Sequence, residues 1–152
     1  MSHRASASQR EIAGELAMSG EVDLVVGHHA HVVQPIERLG EMWVAYGLGN
    51  LVSNMPLGDG TFSDPSTGDG VVLVVEFTPA ASGPDAGGPD ANGPVITGIV
   101  ARPIWVDHAA GWVVRDVATA RRDPALADAI GRELDDSWRR TASVVGPLLP
   151  VD

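Results

Sequence analysis

The sequence predicts an α/β fold, and three observations lead to this prediction. First, apolar residues at helical spacing near the start of the chain precede the continuous apolar run VDLVVG, which is typical of a strand buried on both faces. Second, further apolar runs predict about six strands arranged in mixed β-sheets, namely VDLVVG, VVQPIERLG, MWVAYGLGNLVS, VVLVVEF, VITGIVARPIWV and GWVVRDVA. Third, a long helical pattern follows the last of these strands. A chain of 152 residues with two flanking helices suits one domain, residues 1–152.

Each predicted helix has local signals at its ends. Ser8 is a candidate N-cap with Glu11 as its capping-box partner, and the first helix is expected to run to about Ser19, where Gly20 ends it. The second helix is expected over 123–144. Asp123 and Pro124 take its N-cap and first positions, and a stripe of apolar side chains would pack on the sheet: Leu126, Ile130, Leu134 and Trp138.

Turn residues separate the predicted strands. The second and third strands are expected to form a hairpin that turns at residues 40–41, and Pro35 suits an edge or the start of a strand. The last two strands are expected to turn at residues 109–111. Two segments rich in turn formers, 54–70 and 79–94, are predicted to be flexible loops, and neither carries an apolar periodicity.

The charge and composition exclude several classes of function. Ten arginines, no lysine and twenty acidic residues leave a formal charge of −10, which would repel nucleic acid and anionic membranes. The arginine pairs at 121–122 and 139–140 stand beside acids, so they predict solvated helix surfaces and no basic patch. The absence of cysteine excludes disulfides and thiolate chemistry. No segment predicts a membrane span or a secretory signal.

Three of the five histidines lie in the stretch DLVVGHHAHVVQPIE, directly after the first predicted strand. Ligands of open α/β sheets tend to bind where a strand ends. If the extended conformation continues, His29 and His31 point to the same side with Cα atoms roughly 6–7 Å apart, and His28 points away. Gly27 would then permit close approach of the backbone to a ligand.

Neutral imidazole is a common ligand of transition metals, so this pair is a candidate metal site. A bare His-x-His pattern is equally typical of exposed loop histidines or of a hydrogen-bonded structural cluster. His108, near the end of another predicted strand, is predicted to be an exposed turn residue, with a role in the site as the alternative.

The complete stretch, followed by VAYGLGNLVS, resembles the poly-gamma-glutamate capsule synthesis family of the CapA type over Gln9 to Ser53. That family resembles the calcineurin-like metallophosphatases, which implies a partial fold of that type with a dinuclear metal centre. The last metal motif of those enzymes is Gly-His-x-His. The resemblance therefore implies that His29 and His31 bind divalent metal ions, with Mn, Fe or Zn as candidates, although the preceding glycine is displaced by one position.

Other residues are open to two interpretations. Asn50 matches the Leu-Gly-Asn block of the family and is interpreted either as a residue that fixes a turn or as a catalytic group. Asp59, Asp64 and Asp69 follow it in a Gly-rich loop, where they are either ordinary turn formers or oxygen ligands. His3 lacks the His-Trp-Gly context of the family and is not counted as a ligand.

Two hypotheses for function follow from the resemblance. The Asp-x-His and Gly-Asp motifs of metallophosphatases do not occur in the 26 residues before Gly27. We therefore expect the C-terminal portion of a metal-dependent phosphoesterase-like protein, completed by an N-terminal segment, which acts on an envelope polymer or a phosphorylated substrate at the cell envelope. The alternative is a non-catalytic binding or assembly module, whose uncovered apolar sheet face would favour a partner or a homodimer.

Overall fold

A computed structural model describes residues 1–53, 55, 64–79 and 94–150 of the chain. The helices are α1 (Ala7–Ser19), α2 (Val117–Ala120) and α3 (Pro124–Val145). The strands are β1 (Leu24–Val26), β2 (Ile36–Leu39), β3 (Met42–Ala45), β4 (Asp69–Thr78), β5 (Val95–Asp107) and β6 (Val113–Asp116). The predicted α/β class is confirmed, and the described ranges contain six strands and two main flanking helices.

The first sheet has the strand order β1-β3-β2, in which β1 pairs parallel to β3 and β2 pairs antiparallel to it. The hairpin of β2 and β3 is the predicted one, and Gly40 takes the positive φ of 64° that its tight turn requires. Pro35 stands just before β2, where its missing N–H costs no ladder hydrogen bond. The chain therefore leaves β1 and returns beside it within twenty residues, which brings the histidine segment close to the end of β3.

The second sheet is antiparallel, with the order β4-β5-β6. Its last turn closes where the amide of Gly111 donates to the carbonyl of His108, as the sequence predicts. Two isolated bridges connect the segment after β3 to its surroundings: Val33 pairs with Leu48, and Gly49 pairs with Gly70 at the start of β4. The second bridge joins the two sheets next to the histidine segment.

Helix α1 begins two residues earlier than predicted. Ser6 is the N-cap, since its Oγ accepts from the Gln9 amide at 3.2 Å and its own amide donates to Gln9 Oε1 at 2.8 Å. The sequence contains both Ser-x-x-Gln and Ser-x-x-Glu at this point, and either pattern can form a capping box. The helix has a single N-terminus, and the capping box that forms there is Ser6 with Gln9. The prediction of Ser8 with Glu11 is wrong.

Helix α3 follows the prediction closely. The Asp123 carboxylate accepts from the amides of Ala125 and Leu126, and the following proline takes the first helical position. The apolar stripe of α3 packs around the fully buried Leu134 together with residues of β5 and α2. The helix is kinked at Ile130, which has non-helical angles of φ −139° and ψ 21°.

Strand β1 is less buried than predicted. Val26 is 43% exposed, because a three-residue strand at the edge of its sheet is covered on one side only. Beside it, Val72 of β4 is 42% exposed. An apolar groove of about 470 Å³ separates the two strands, and its lining includes Leu24, Val26, Leu51, Val71 and Val72. We call this surface the strand groove.

The predicted loop 54–70 is shorter than expected. A 3₁₀ turn occupies Pro65–Gly68, and β4 begins at Asp69. Positions 54, 56–63 and 80–93 lie outside the described residues, and so do Asp59 and nearly all of the predicted loop 79–94. Within the part of the chain that the structure describes, no helix is long and apolar enough to span a membrane.

Candidate functional site

Gly27 ends the first strand against the neighbouring backbone. Its amide donates to the Ala45 carbonyl at 2.7 Å, and a Cβ on Gly27 would lie only 2.3 Å from the Tyr46 carbonyl oxygen. The missing side chain therefore accommodates the backbone carbonyl of Tyr46, just after β3. The close approach fixes where the chain departs toward the histidines.

The histidine segment is not extended. His29 and His31 have φ angles of 81° and 59°, in the left-handed region that non-glycine residues seldom adopt. The prediction that extended backbone brings the two side chains together is therefore wrong. The rings are nevertheless neighbours, with centroids 5.9 Å apart and planes inclined by 52°. His28 is exposed and lines the strand groove. Strained backbone of this kind persists only where surrounding contacts hold it, and it clusters at functional sites.

Asn50 supplies such contacts. Its Nδ2 donates to the His31 carbonyl at 3.2 Å and to the Thr67 carbonyl at 2.9 Å. Both partners can only accept, so the amide nitrogen must face them and Oδ1 remains as an acceptor. The His31 Nδ1 atom lies 3.0 Å from this oxygen.

The hydrogen bond with Asn50 determines the tautomer of His31. Because the oxygen of Asn50 only accepts, Nδ1 must carry the proton, and Nε2 of the neutral ring keeps its lone pair. A metal-binding histidine is usually oriented in this way, with one ring nitrogen donating to a neighbouring oxygen while the other faces the ion. His29 has no hydrogen-bond partner among the residues that the structure describes, so its ring is also available.

A buried ion pair helps to fix the position of Asn50. The backbone N–H of Asn50 donates to the Asp69 carbonyl at 3.3 Å. The Asp69 carboxylate accepts from Nε and an η nitrogen of Arg140 at 2.6 and 2.9 Å. Asp69 is 2% exposed. Burial raises the pKa of Asp69, and the Arg140 guanidinium acts against that rise, while the hydrogen bonds to Asp69 raise the pKa of Arg140. The carboxylate of Asp69 is therefore used in an ion pair with α3.

The 3₁₀ turn at Pro65–Gly68 also helps to fix the position of Asn50, through the carbonyl of Thr67. Asp64 caps it by accepting from the amide and hydroxyl of Ser66 at 2.9 and 2.6 Å, and these bonds lower the pKa of Asp64. The cap holds Thr67, whose amide donates to the Asp64 carbonyl at 3.1 Å. Asp64 thus caps a turn, in accord with its interpretation as a turn former, whereas Asp69 begins β4 and is an ion-pair partner.

The two remaining histidines anchor loops. The Nδ1 atom of His3 lies 2.7 Å from the Val33 carbonyl oxygen, so His3 ties the N-terminal segment to the backbone just after the histidine cluster. His108 is half-buried, with Nε2 3.1 Å from the Ser53 carbonyl and its ring edge-on to Trp112. His108 therefore lies in a turn as predicted, but its ring is half-buried and not exposed. It holds the segment just after Asn50.

The described part of the chain supplies a pair of candidate ligands and not a complete site. Within residues 1–53, 55, 64–79 and 94–150 no group of three or more histidine, aspartate or glutamate side chains is placed to hold a metal ion. The donor set still fits a transition metal, because one imidazole has a defined free Nε2 and a second imidazole lies beside it.

Comparison with known proteins gives one match, and it covers this region. Residues 1–55 match the family model described as "Bacterial capsule synthesis protein PGA_cap". The match supports the resemblance to the CapA-type family and includes α1, the first sheet, both paired histidines and Asn50. No curated protein matches the chain, and no solved structure matches it. Residues 1–55 are therefore similar to capsule synthesis proteins.

Proposed function

We propose that this chain contributes to bacterial capsule synthesis as a metallophosphatase-like polypeptide in which His29 and His31 bind a divalent metal ion. The observation that carries the proposal is the hydrogen bond from His31 Nδ1 to Asn50 Oδ1, which leaves Nε2 free as a ligand. The similarity of residues 1–55 to capsule synthesis proteins supports the same assignment. Association with the cell envelope follows from it.

In this proposal the chain's own residues orient the ligands. Asn50 holds His31 in one tautomer through Oδ1 and fixes its backbone through Nδ2, so Asn50 is a positioning residue. His29 and His31 would hold a Mn, Fe or Zn ion, which would supply Lewis-acid chemistry toward a phosphorylated substrate in envelope-polymer synthesis. The remaining ligands come from a polypeptide segment other than the described residues.

Metal titration tests the proposal. We expect the tag-free protein to bind Zn²⁺ or Mn²⁺ in calorimetry near pH 8, where imidazoles are neutral. His29→Ala and His31→Ala should each weaken binding by about tenfold or more, equivalent to about 1.4 kcal/mol. His28→Ala is the matched control, since His28 is an adjacent exposed imidazole outside the pair. Equal loss in all three variants would indicate non-specific binding and contradict the proposal.

A second candidate function, an assembly module, is favoured by the strand groove. From Val72 onward the outer edge of β4 has no neighbouring strand among the described residues, and residues 71–75 carry no charge. An exposed apolar edge of this kind is a template for pairing with another strand. A second copy offers the same uncharged edge, and antiparallel pairing about a two-fold axis would join two three-stranded sheets.

Sedimentation tests that candidate. We expect a concentration-dependent homodimer that becomes a monomer in Val72→Glu, because the new carboxylate would lie in the centre of the paired edge. Thr97→Glu on β5 is the control, since Thr97 is exposed and lies outside the proposed edge of β4. A monomeric wild-type chain at all concentrations would eliminate the homodimer and leave the metal-binding proposal unaffected.

A further inference from the structure

The structure brings together arginines that the sequence keeps apart. Helices α2 and α3 enclose a cleft of about 620 Å³ that we call the arginine cleft. Four of the ten arginines of the chain line it: Arg121, Arg122, Arg132 and Arg139. Arginines separated by up to 18 positions therefore lie along one cleft, and two of them, Arg121 and Arg139, pair with neighbouring acids as the sequence suggests.

Arginines outnumber acidic residues in the lining of the arginine cleft, although the chain as a whole is acidic. Four guanidinium groups and one carboxylate, that of Asp135, line it, and the neighbouring Asp136 pairs with Arg139. The formal charge of the chain is −10. Guanidinium groups gathered in one place can attract anions even on an acidic protein. Salt screens the more distant charges, so the electrostatic potential in the cleft depends mainly on the nearest groups.

Arg121, Arg132 and Arg139 retain guanidinium donors for a ligand. Arg121 uses Nε to donate to Asp135 at 2.7 Å, and its guanidinium carbon lies 5.0 Å over the Trp138 ring, so its orientation is held from two sides. Its terminal nitrogens remain for another acceptor. Arg139 pairs with Asp136 at the surface and is 72% exposed. Arg132 makes no ion pair within the described residues.

The floor of the cleft is open because its residues are small. Ala118, Ala127 and Gly131 line it, and a Cβ built on Gly131 would meet no atom within 4 Å. Gly131 directly follows the kink of α3 at Ile130. Trp138 provides one flat apolar wall. The cleft thus combines space, an aromatic surface and several forked donors, which suit carboxylate and phosphate groups.

We propose that the arginine cleft binds an oligoanion, a ligand with two or more carboxylate or phosphate groups. One anionic group would pair with Arg121 beside Trp138, and a second with Arg132 or Arg139 along the same face of α3. Binding at this cleft does not require metal at the histidine pair, so it goes beyond the proposed function. Carboxylate oligomers and diphosphates share the necessary chemistry.

Tryptophan fluorescence and calorimetry with defined probes test the proposal. Hexaglutamate represents the carboxylate source, and inorganic pyrophosphate represents the phosphate source. We expect at least one of them to bind, with affinity that falls as NaCl rises from about 0.05 to 0.5 M, because salt screens the exposed guanidinium groups. The tighter probe identifies the source. If a thymidine oligonucleotide binds more tightly than both, or if neither binds at low salt, the proposal is wrong.

Three variants locate the site. Arg132→Gln with Arg139→Gln should lower affinity by about tenfold or more, since two charge-assisted contacts are removed. Gly131→Leu keeps every charge but fills the floor, so it should also weaken binding. Arg38→Gln is the matched control, an exposed arginine paired with Glu41 on the other sheet. Circular dichroism checks folding. Unchanged binding in both cleft variants, or equal loss in Arg38→Gln, would overturn the assignment.

Discussion

Replacing Arg140 with alanine is expected to lower the free energy of unfolding by about 3–5 kcal/mol, the cost of leaving a buried charge without its partner. Asp69 is 2% exposed and accepts two hydrogen bonds from Arg140, so its carboxylate would lose both together. Urea denaturation at neutral pH measures the change. The effect should reach Asn50, because the carbonyl of Asp69 accepts from the Asn50 amide.

Two comparisons isolate the cause of that loss. Arg38→Ala removes an exposed ion pair with Glu41 and should cost about 1 kcal/mol or less. Asp69→Asn combined with Arg140→Leu removes both charges and should cost clearly less than Arg140→Ala alone, since no charge is left unpaired. If Arg140→Ala lowers the free energy of unfolding no more than Arg38→Ala does, the buried pair of Arg140 and Asp69 stabilises the fold no more than an exposed pair.

The stability of the Arg140→Ala variant should show a characteristic dependence on pH. Burial already raises the pKa of Asp69, and loss of the guanidinium removes the interaction that lowers it. The folded variant then holds a proton that the unfolded chain releases near pH 4, so its stability falls as pH rises above that value. The difference from the wild-type protein should therefore shrink as the pH is lowered toward 4.

Replacing Gly49 with alanine is expected to be nearly as damaging. Gly49 has a φ of 73°, and a Cβ would lie 2.5 Å from the Asp69 carbonyl oxygen and 2.9 Å from the Gly70 Cα. The left-handed backbone costs a side chain about 1–3 kcal/mol, and the forced contact about 1–3 kcal/mol more. Because Gly49 pairs with Gly70 where the sheets meet, the substitution should also displace Asn50 from His31.

Gly40→Ala separates the two contributions to this loss. Gly40 has a similar φ of 64°, but a Cβ there would meet no atom within 4 Å. Its substitution should cost only the conformational part, about 1–2 kcal/mol. Chemical denaturation of both variants, with the His31 ring resonances as a second readout, checks the comparison. Equal losses and an unchanged His31 environment in Gly49→Ala would show that the close contact at the sheet junction is unimportant.

The sequence predicts those parts of the fold that local signals determine. Asp123 with Pro124 marks the start of α3, and the residues at 40–41 mark the hairpin, because capping and turn formation depend on neighbours in the chain. Where two local signals compete, as with Ser6 and Ser8, the pattern alone does not choose between them. The exposure of β1 depends on its place at the edge of a sheet, which its apolar sequence does not encode.

The candidate site is predicted only in part. His29 and His31 are identified as a pair from their spacing and from the family resemblance, but the backbone that brings them together is left-handed and not extended. The support from Arg140 could not be predicted, because it lies 71 residues from Asp69 and belongs to another element. The arginine cleft depends in the same way on the packing of α2 against α3.

Long-range proton–nitrogen NMR of the imidazole rings tests the central claim most directly. In the metal-free protein near pH 8 we predict that His31 is protonated on Nδ1 and unprotonated on Nε2, and that added Zn²⁺ shifts the Nε2 resonances of His29 and His31 but not that of His28. A proton on Nε2 of His31, or a titration that leaves both paired rings unchanged, would contradict the account.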